Sequence, residues 1–374
     1  MGNDSVIYIR TDGNSNIATG HLVRCLCIAQ ALEESGRKVC FLVSDITSSS
    51  LLKDLCNSIF HGVSFSFETK ILESARFDHL DLETEELCSF LTNSNYDCLN
   101  NNVLSVNDTT SSVAMPKPFI LVDSYYVTES YFHALRQVAA VAYIDDLRAF
   151  DYDVDIVINY DVIPHSREEE YKQAYTKARK TLLGAQYTPL RKQFQNQEVT
   201  LREKIQDVLI TTGGSDPYNF TSDLVSNLLS LDNKLDIHVV IGKLFSNTAT
   251  LEALANEYPL IHLHKNVSDM ASLMKQCDFA ISAAGTTLYE LCALGIPAIS
   301  ISMADNQTII AETFAETGAV PYAGDIRNVS ICDAILHHLT NVSNNISIAH
   351  EQQRKMRELV DGNGVINITK ALCI

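Results

Sequence analysis

Gly20-His21 follows a short apolar run, Val6 to Ile9, and the polar stretch "TDGNSNIAT", and it opens a helical pattern, "LVRCLCIAQALEESG". An imidazole in the first turn of a helix meets the positive end of the peptide dipole. That field disfavours imidazolium and keeps the ring available as a base. The competing reading is a histidine that packs at a helix start. The loop from Arg10 through Asp12 to Thr19 delivers the pair, so Arg10, Asp12 and Gly20 are assigned with it to the substrate side. Arg24, one turn on, is either an anion partner or a surface charge.

Phosphate-binding signals lie in the second half. "VLITTGGSDPYN" is a strand running into Gly213-Gly214-Ser215, where backbone amides can approach an anion closely. The same residues also suit a tight turn, with Ser215 or Asp216 as a helix cap and Pro217 at the first helical position. "FAISAAGTTLYELCALGIPAISISMADNQ" is more specific: a strand, a loop ending at Gly285, and a helix from Thr286 or Thr287 that offers free N–H groups to a diphosphate. Glu290 lies three residues after Thr287. It is either the acidic end of a T-x-x-E capping box or a carboxylate for the two hydroxyls of a ribose.

The elements that position these groups alternate. Strands are expected at Val6–Ile9, Lys38–Val43, Phe119–Val122, Val141–Ile144 and Ile156–Ile158, then at Asp207–Thr211, Ile237–Ile241, Ile261–Leu263, Phe279–Ser282 and Ala298–Ile301. A helix from Leu22 to Ser35 is expected to stop at Gly36. This is the pattern of parallel sheets with crossover helices. At 374 residues the chain exceeds the roughly 250–300 at which a single core stops growing, which predicts two domains. The boundaries read as 1–185, a linker over 186–206 and 207–374, with a polar insertion near 92–118. The resulting fold class is α/β, two Rossmann-like sheets facing a central cleft lined by the carboxyl ends of their strands.

Composition narrows the chemistry. A formal charge of −18 argues against nucleic acid and anionic lipid as partners, and 46% hydrophobic with 20% charged residues is ordinary globular usage. The ten cysteines include no CxxC or Cys/His spacing, so no metal and no cofactor is expected and reduced cytoplasmic thiols are. "DVD", Asp153 to Asp155, matches a metal-holding D-x-D but lacks a third oxygen partner. Asp145-Asp146, after a strand, are expected to cap it or line the cleft. No leader, membrane span, or exposed apolar or basic docking segment is read, and the oligomeric state is left open.

Taken in order, "IRTDGNSNIATGHLVRCLCIAQAL", "ILVDSYY", "YIDDL", "LLGAQYTPLRKQF", "LITTGGSDPYN" and "AISAAGTTLYELCALGIPAISISMADNQ" resemble the UDP-2,4-diacetamido-2,4,6-trideoxy-β-L-altropyranose hydrolases of pseudaminic acid biosynthesis. That family is similar in fold to GT-B glycosyltransferases, especially the one that adds N-acetylglucosamine to lipid I. The resemblance covers most of the chain outside roughly residues 45–118. It implies metal-independent, inverting hydrolysis at the anomeric carbon of a UDP-sugar. In that reading His21 is the base and Tyr125 its helper, Gly285, Thr286 and Thr287 meet the diphosphate, Glu290 the ribose, and Asn306-Gln307 the sugar or phosphate side. The sequence has Ser124-Tyr125-Tyr126 where the resemblance carries His-Tyr-Gly. The alternative is a GT-B transferase that delivers the sugar to an alcohol.

Overall fold

The computed structural model describes residues 6–59, 66–100, 117–231, 235–328 and 331–373, without the side chains of 95–100. The chain divides into two compact units. One comprises Met1–Asp161, Arg167–Pro189 and Val365–Ile374, the other Val162–Ser166 and Leu190–Gly364.

The first unit is built on a parallel sheet of β1 (Val6–Thr11), β2 (Lys38–Val43), β3 (Glu68–Ile71), β4 (Phe119–Asp123), β5 (Ala140–Ile144), β6 (Ile156–Asn159) and β7 (Lys180–Leu183). Their order is β3-β2-β1-β4-β5-β6-β7. Ile7 and Ile9 point to one face, packed with Leu22, Leu26 and Ile28 of the helix Gly20–Glu34. Tyr8 points to the other, with Leu87, Tyr131 and Phe132. Each such side chain taken fully out of water contributes about 1.5–3 kcal/mol, so two-faced burial explains the nearly unbroken apolar runs of the central strands. The first helix ends at Glu34 with Ser35 as its C-cap, and Gly36 turns with φ +83° at the stop the sequence indicated.

The second unit repeats the design with β8 (Asp207–Thr211), β9 (Asp236–Ile241), β10 (Ile261–Lys265), β11 (Phe279–Ala283), β12 (Ala298–Ser302) and β13 (Tyr322–Asp325), in the order β10-β9-β8-β11-β12-β13. Both orders reverse direction beside the first strand of the unit. That reversal opens a crevice at the carboxyl ends, the place where open α/β sheets bind ligands.

Four features depart from the sequence reading. β3, β7 and β13 were not expected; all three are sheet edges, with polar or small residues such as Glu68, Lys180 and Gly324 in place of a buried run. Val365, Ile368, Ala371 and Leu372 of the last helix, Gly364–Leu372, pack in the core with Ile7 and Leu26, so the chain end belongs to the first unit and not to a domain 207–374. The segment read as a linker, 186–206, splits between the units after Pro189. Residues 92–100, read as insertion, complete the helix Thr84–Asn100, while 101–116 of that insertion lie outside the described residues.

Candidate active site

In the first unit the last residue of β1, Thr11, sits beside the last residue of β4, Asp123. The crevice between them is the topological switch point. The loop after β1 is pinned there by close packing: a Cβ on Gly13 would lie 2.4 Å from Leu22 Cδ1, so only glycine lets the loop settle on the helix it precedes. His21 occupies the first turn of that helix, buried, next to exposed Gly20, where an added Cβ would meet open space.

His21 Nδ1 lies 2.6 Å from Asp123 Oδ1. Burial opposes charge on Asp123, but Arg24 and then His21 outweigh it and hold the carboxyl well below the usual carboxylate range. The tautomer with its proton on Nδ1 satisfies an ionised oxygen at that distance and leaves Nε2 unprotonated; Arg24 Nη2 lies 3.0 Å from the same Nδ1. Nε2 has no hydrogen-bond partner among the described residues. The arrangement is a buried imidazole paired with a carboxylate through Nδ1.

Arg24 is therefore an internal anion partner and not a surface charge. Its Nε donates to Asp123 Oδ2 at 2.7 Å and its Nη2 to Asp123 Oδ1 at 2.5 Å, while Nη1 meets Asp146 Oδ2 at 2.8 Å and the Tyr160 hydroxyl. The Tyr125 ring packs edge-on to His21 with centroids 4.4 Å apart. Burial and then the neighbouring Asp146 push the Tyr125 hydroxyl up to about 12, so it keeps its proton at neutral pH. Asp145 turns away from this network: it accepts from Leu147 N at 2.9 Å, Tyr152 at 2.9 Å and Tyr175 at 2.7 Å, bracing the turn that carries Asp146.

Arg10 and Asp12 are not presented to a ligand as the sequence reading assigned them. Arg10 is wholly buried, its Nε and Nη2 each 2.7 Å from a Glu83 oxygen and its Nη1 2.5 Å from Asp12 Oδ2. Asp12 also accepts from Ser44 N at 2.7 Å and Ser44 Oγ at 2.9 Å. A guanidinium with every edge committed to internal carboxylates is an anchor for β1 and the Glu83 turn. The aspartates of the D-x-D stretch are likewise committed, Asp153 to Arg136 and Asp155 to Arg179 at 2.9 Å. Among the described residues no three His, Cys, Asp or Glu side chains are grouped to hold a metal ion.

In the second unit the loops after β8, β11 and β12 are neighbours because those strands are. They bring Gly213-Gly214-Ser215, Gly285-Thr286-Thr287 and Asn306-Gln307 to one edge of the unit. The first loop turns at Gly213, φ +80°, and its carbonyls face Gly242, where a Cβ would approach the Gly213 oxygen to 2.4 Å. Asp216 then caps the helix Phe220–Leu229, accepting from Phe220 N at 3.0 Å and Thr221 N at 2.8 Å. The helix starts three residues beyond Pro217, and its leading amides are taken, which removes that helix end as a phosphate site.

The helix Thr286–Leu294 differs: Gly285 is its N-cap residue and no side chain caps it. Thr286 is exposed and Thr287 half-buried. The hydroxyl of Thr212, the residue after β8 and next to the strand β11 that leads into this helix, is buried with no partner among the described residues. Uncommitted amides at a helix N-terminus with an unsatisfied hydroxyl nearby form a receptive site for an anion. The T-x-x-E box does not form, because Thr287 is inside the helix and not at its cap. Glu290 instead accepts from Arg191 Nη2 at 2.7 Å, and burial raises its carboxyl more than Arg191 lowers it. Gln307 spends its Oε1 on Met303 N at 2.9 Å, whereas Asn306 is exposed.

The sequence reading missed Asp123, Tyr160, Arg191 and Thr212. Asp123 carried a signal: it is a lone carboxylate ending the otherwise apolar β4, "FILVD".

Residues 208–360 match the glycosyltransferase family 28 C-terminal domain. Over 222 residues the chain is 28% identical to the spore coat polysaccharide biosynthesis protein SpsG of Bacillus subtilis, covering 58% of this chain and 64% of that protein. Over 205 residues it is 27% identical to the pseudaminic acid cytidylyltransferase and UDP-2,4-diacetamido-2,4,6-trideoxy-β-L-altropyranose hydrolase of Helicobacter pylori, covering 54% of this chain and 37% of that protein. Each match thus spans less than two-thirds of the relative. The crystal structure of MurG from Acinetobacter baumannii superimposes with a TM-score of 0.64 at 16% identity, over 99% of both chains. No helix among the described residues is long and apolar enough to cross a membrane. The chain has a GT-B-like α/β fold, its second unit contains the stretch that is similar to the family 28 C-terminal domain, and it is a distant homologue of the pseudaminic acid enzyme with the hydrolase domain.

Proposed function

We propose that this protein is an enzyme that hydrolyses a UDP-activated acetamido-deoxy sugar, with His21 as general base. The observation that carries the reading is the His21–Asp123 pair at the switch point of the first unit, with Nε2 unengaged. Water gives a proton to Nε2 as its oxygen bonds to the anomeric carbon, and the C1–O bond to UDP breaks on the opposite face. The configuration inverts. Asp123 holds the ring and stabilises the imidazolium that forms. Tyr125, protonated and packed on the ring, fixes its orientation. The second unit holds the leaving group: the amides of Thr286 and Thr287 and the Thr212 hydroxyl receive the diphosphate, and Glu290, set by Arg191, receives the ribose hydroxyls. Gly213-Gly214-Ser215 and Asn306 lie at the same edge and complete that side. The distant homologue whose name includes this hydrolysis supports the substrate class.

A second reading, transfer of the sugar to an alcohol, is favoured by one observation. Leu82, Leu147 and Ile46 are exposed in segments that follow β3, β5 and β2, so the first unit does present apolar side chains that the sequence reading did not find. The test is UDP release from a UDP-diacetamido-trideoxy sugar without acceptor. The hydrolase reading requires release by the wild type and its loss in His21→Ala; a strict need for an added alcohol favours transfer.

A further inference from the structure

The second unit carries three histidines that the mechanism above does not use, stacked at the edge of its sheet. Ile237, Val239 and Ile241 of β9 and Ile261 of β10 face the apolar core, so with a strand period of two His238, His262 and His264 face the other way. His238 and His262 are register partners with ring centroids 4.8 Å apart, and the His238 and His264 centroids lie 5.2 Å apart. β10 ends the sheet and pairs with β9.

Both ring nitrogens of buried His238 lie within hydrogen-bond distance of a partner. Nε2 is 2.9 Å from Asp207 Oδ1 on β8, and Nδ1 is 3.0 Å from His264 Nε2. His262 Nε2 is 2.7 Å from Asp236 Oδ1 at the start of β9. Charges next to the stack are paired in turn. Arg202 joins Asp207 at 2.8 Å to Asp278 at 2.6 Å, and Lys265, at the end of β10, meets Glu252 of the helix Ala249–Glu257 at 2.7 Å.

A nitrogen-to-nitrogen hydrogen bond holds one proton. With both rings neutral, or with one of them charged, an N–H faces a lone pair and the His238–His264 link is made. With both charged, two N–H groups face each other and two positive rings are stacked, so the link opens. Burial, His238 and His262 hold His264 below the usual histidine range, the direction expected of a ring that resists the last proton.

The strand pair reaches toward the glycine loop of this unit. Lys265 is the register partner of Ile241, and the next residue, Gly242, packs against the carbonyls of Gly213 and Gly214, while Leu244 N donates to Gly214 O at 2.9 Å. We propose that the His238–His264 link is a proton-operated latch that pins β10 to β9 in neutral solution. The second proton on the pair releases β10, and with it the Gly242–Leu244 turn that seats the Gly213-Gly214 loop. The latch does not depend on the reading of His21 as a base.

The test is amide hydrogen exchange on the full chain, corrected for the intrinsic pH dependence of exchange, at about pH 7.5 and about pH 5.5, on either side of the ordinary histidine value. Protection of β10 and of the Leu244 amide is expected to fall in acid by about tenfold or more relative to β12, the weight of a one-unit difference in proton affinity. His264→Gln keeps a donor for His238 Nδ1 and carries no titrating ring, so neutral protection is expected to persist and the acid loss to vanish. His264→Ala removes the link and is expected to show the acid-level protection of β10 already at neutral pH, with β12 unchanged as the sign that the unit is folded. The same acid loss in His264→Gln as in the wild type, or a wild type whose β10 and β12 weaken together, would overturn the latch. A Leu244 amide that stays protected while β10 opens would overturn the release of the turn.

Discussion

His21 and Asp123 meet through a single 2.6 Å contact between Nδ1 and Oδ1, one residue from the helix that follows β1 and the other from the end of β4. The contact suits the tautomer whose ring proton faces the carboxylate, with Nε2 left without a hydrogen-bond partner among the described residues. Asp123→Asn replaces one of two oxygens that both accept from Arg24, Oδ1 from Nη2 and Oδ2 from Nε, so its NH₂ group meets a donor whichever way the amide turns, and the charge that pairs with the ring is gone. The turnover of both Asp123→Asn and His21→Ala is expected to fall by about 10²–10⁴-fold, the usual contribution of a positioned base. The double variant is expected to lose little more than His21→Ala. Steady-state UDP release checks it, and independent losses that multiply would contradict a shared role.

The same carboxylate predicts an acid dependence of stability. The Asp123 pKa lies below the ordinary value of about 3.9, so its stabilising contribution is complete above about pH 4 and is lost as pH falls toward the lower folded value. Thermal melts of wild type and Asp123→Asn are expected to differ most above about pH 5, with the gap narrowing progressively as pH falls below about 4. A gap that is constant from neutral to acid pH would show that the carboxylate charge is not what stabilises the site.

Arg10 is a charge taken wholly out of water, tolerable because Glu83 and Asp12 surround it. Glu83→Gln is expected to destabilise the first unit by about 3–5 kcal/mol, the cost of leaving a buried ion undercompensated. UDP affinity, which the proposed function assigns to residues of the second unit, is expected to stay within about twofold, since sites with no shared partner behave independently. Chemical denaturation and calorimetry read the two separately.

How much of this was legible in the sequence follows from burial. The central strands announce themselves because both faces are covered, as in "KVCFLV" and "AISAAG". β3 and β13, "ETKI" and "YAGD", carry no such run because an edge strand is covered less, and the fold decides them by pairing. Arg10 looked like a ligand contact because its position, after an apolar run and before a glycine loop, is where phosphate contacts occur. The partner that claims it, Glu83, is 73 residues away, and nothing local marks the pair. Arg191 escaped for the same reason: its partner Glu290 is 99 residues on, and the nearby threonine offered a capping box that the helix start at Thr286 rules out. His21 was legible because helix start, loop and histidine are contiguous.

Glu290 is expected to read the ribose. Glu290→Gln should weaken UDP by roughly 10-fold or more, the worth of hydrogen bonds to a charged group, while the affinity for 2′,3′-dideoxy-UDP changes little. Isothermal titration of the two nucleotides decides it. An equal loss for both would make Glu290 a partner for Arg191 alone.

The most direct test of the account is the reaction in ¹⁸O-enriched water, with no acceptor added and the products followed by NMR and mass spectrometry. The expected result is unlabelled UDP, a free sugar carrying ¹⁸O at C1, an initially formed anomer of inverted configuration, and no reaction with His21→Ala. Label in the phosphate, retention at C1, or no release until an alcohol is supplied would contradict His21 as the base for water attack on the sugar.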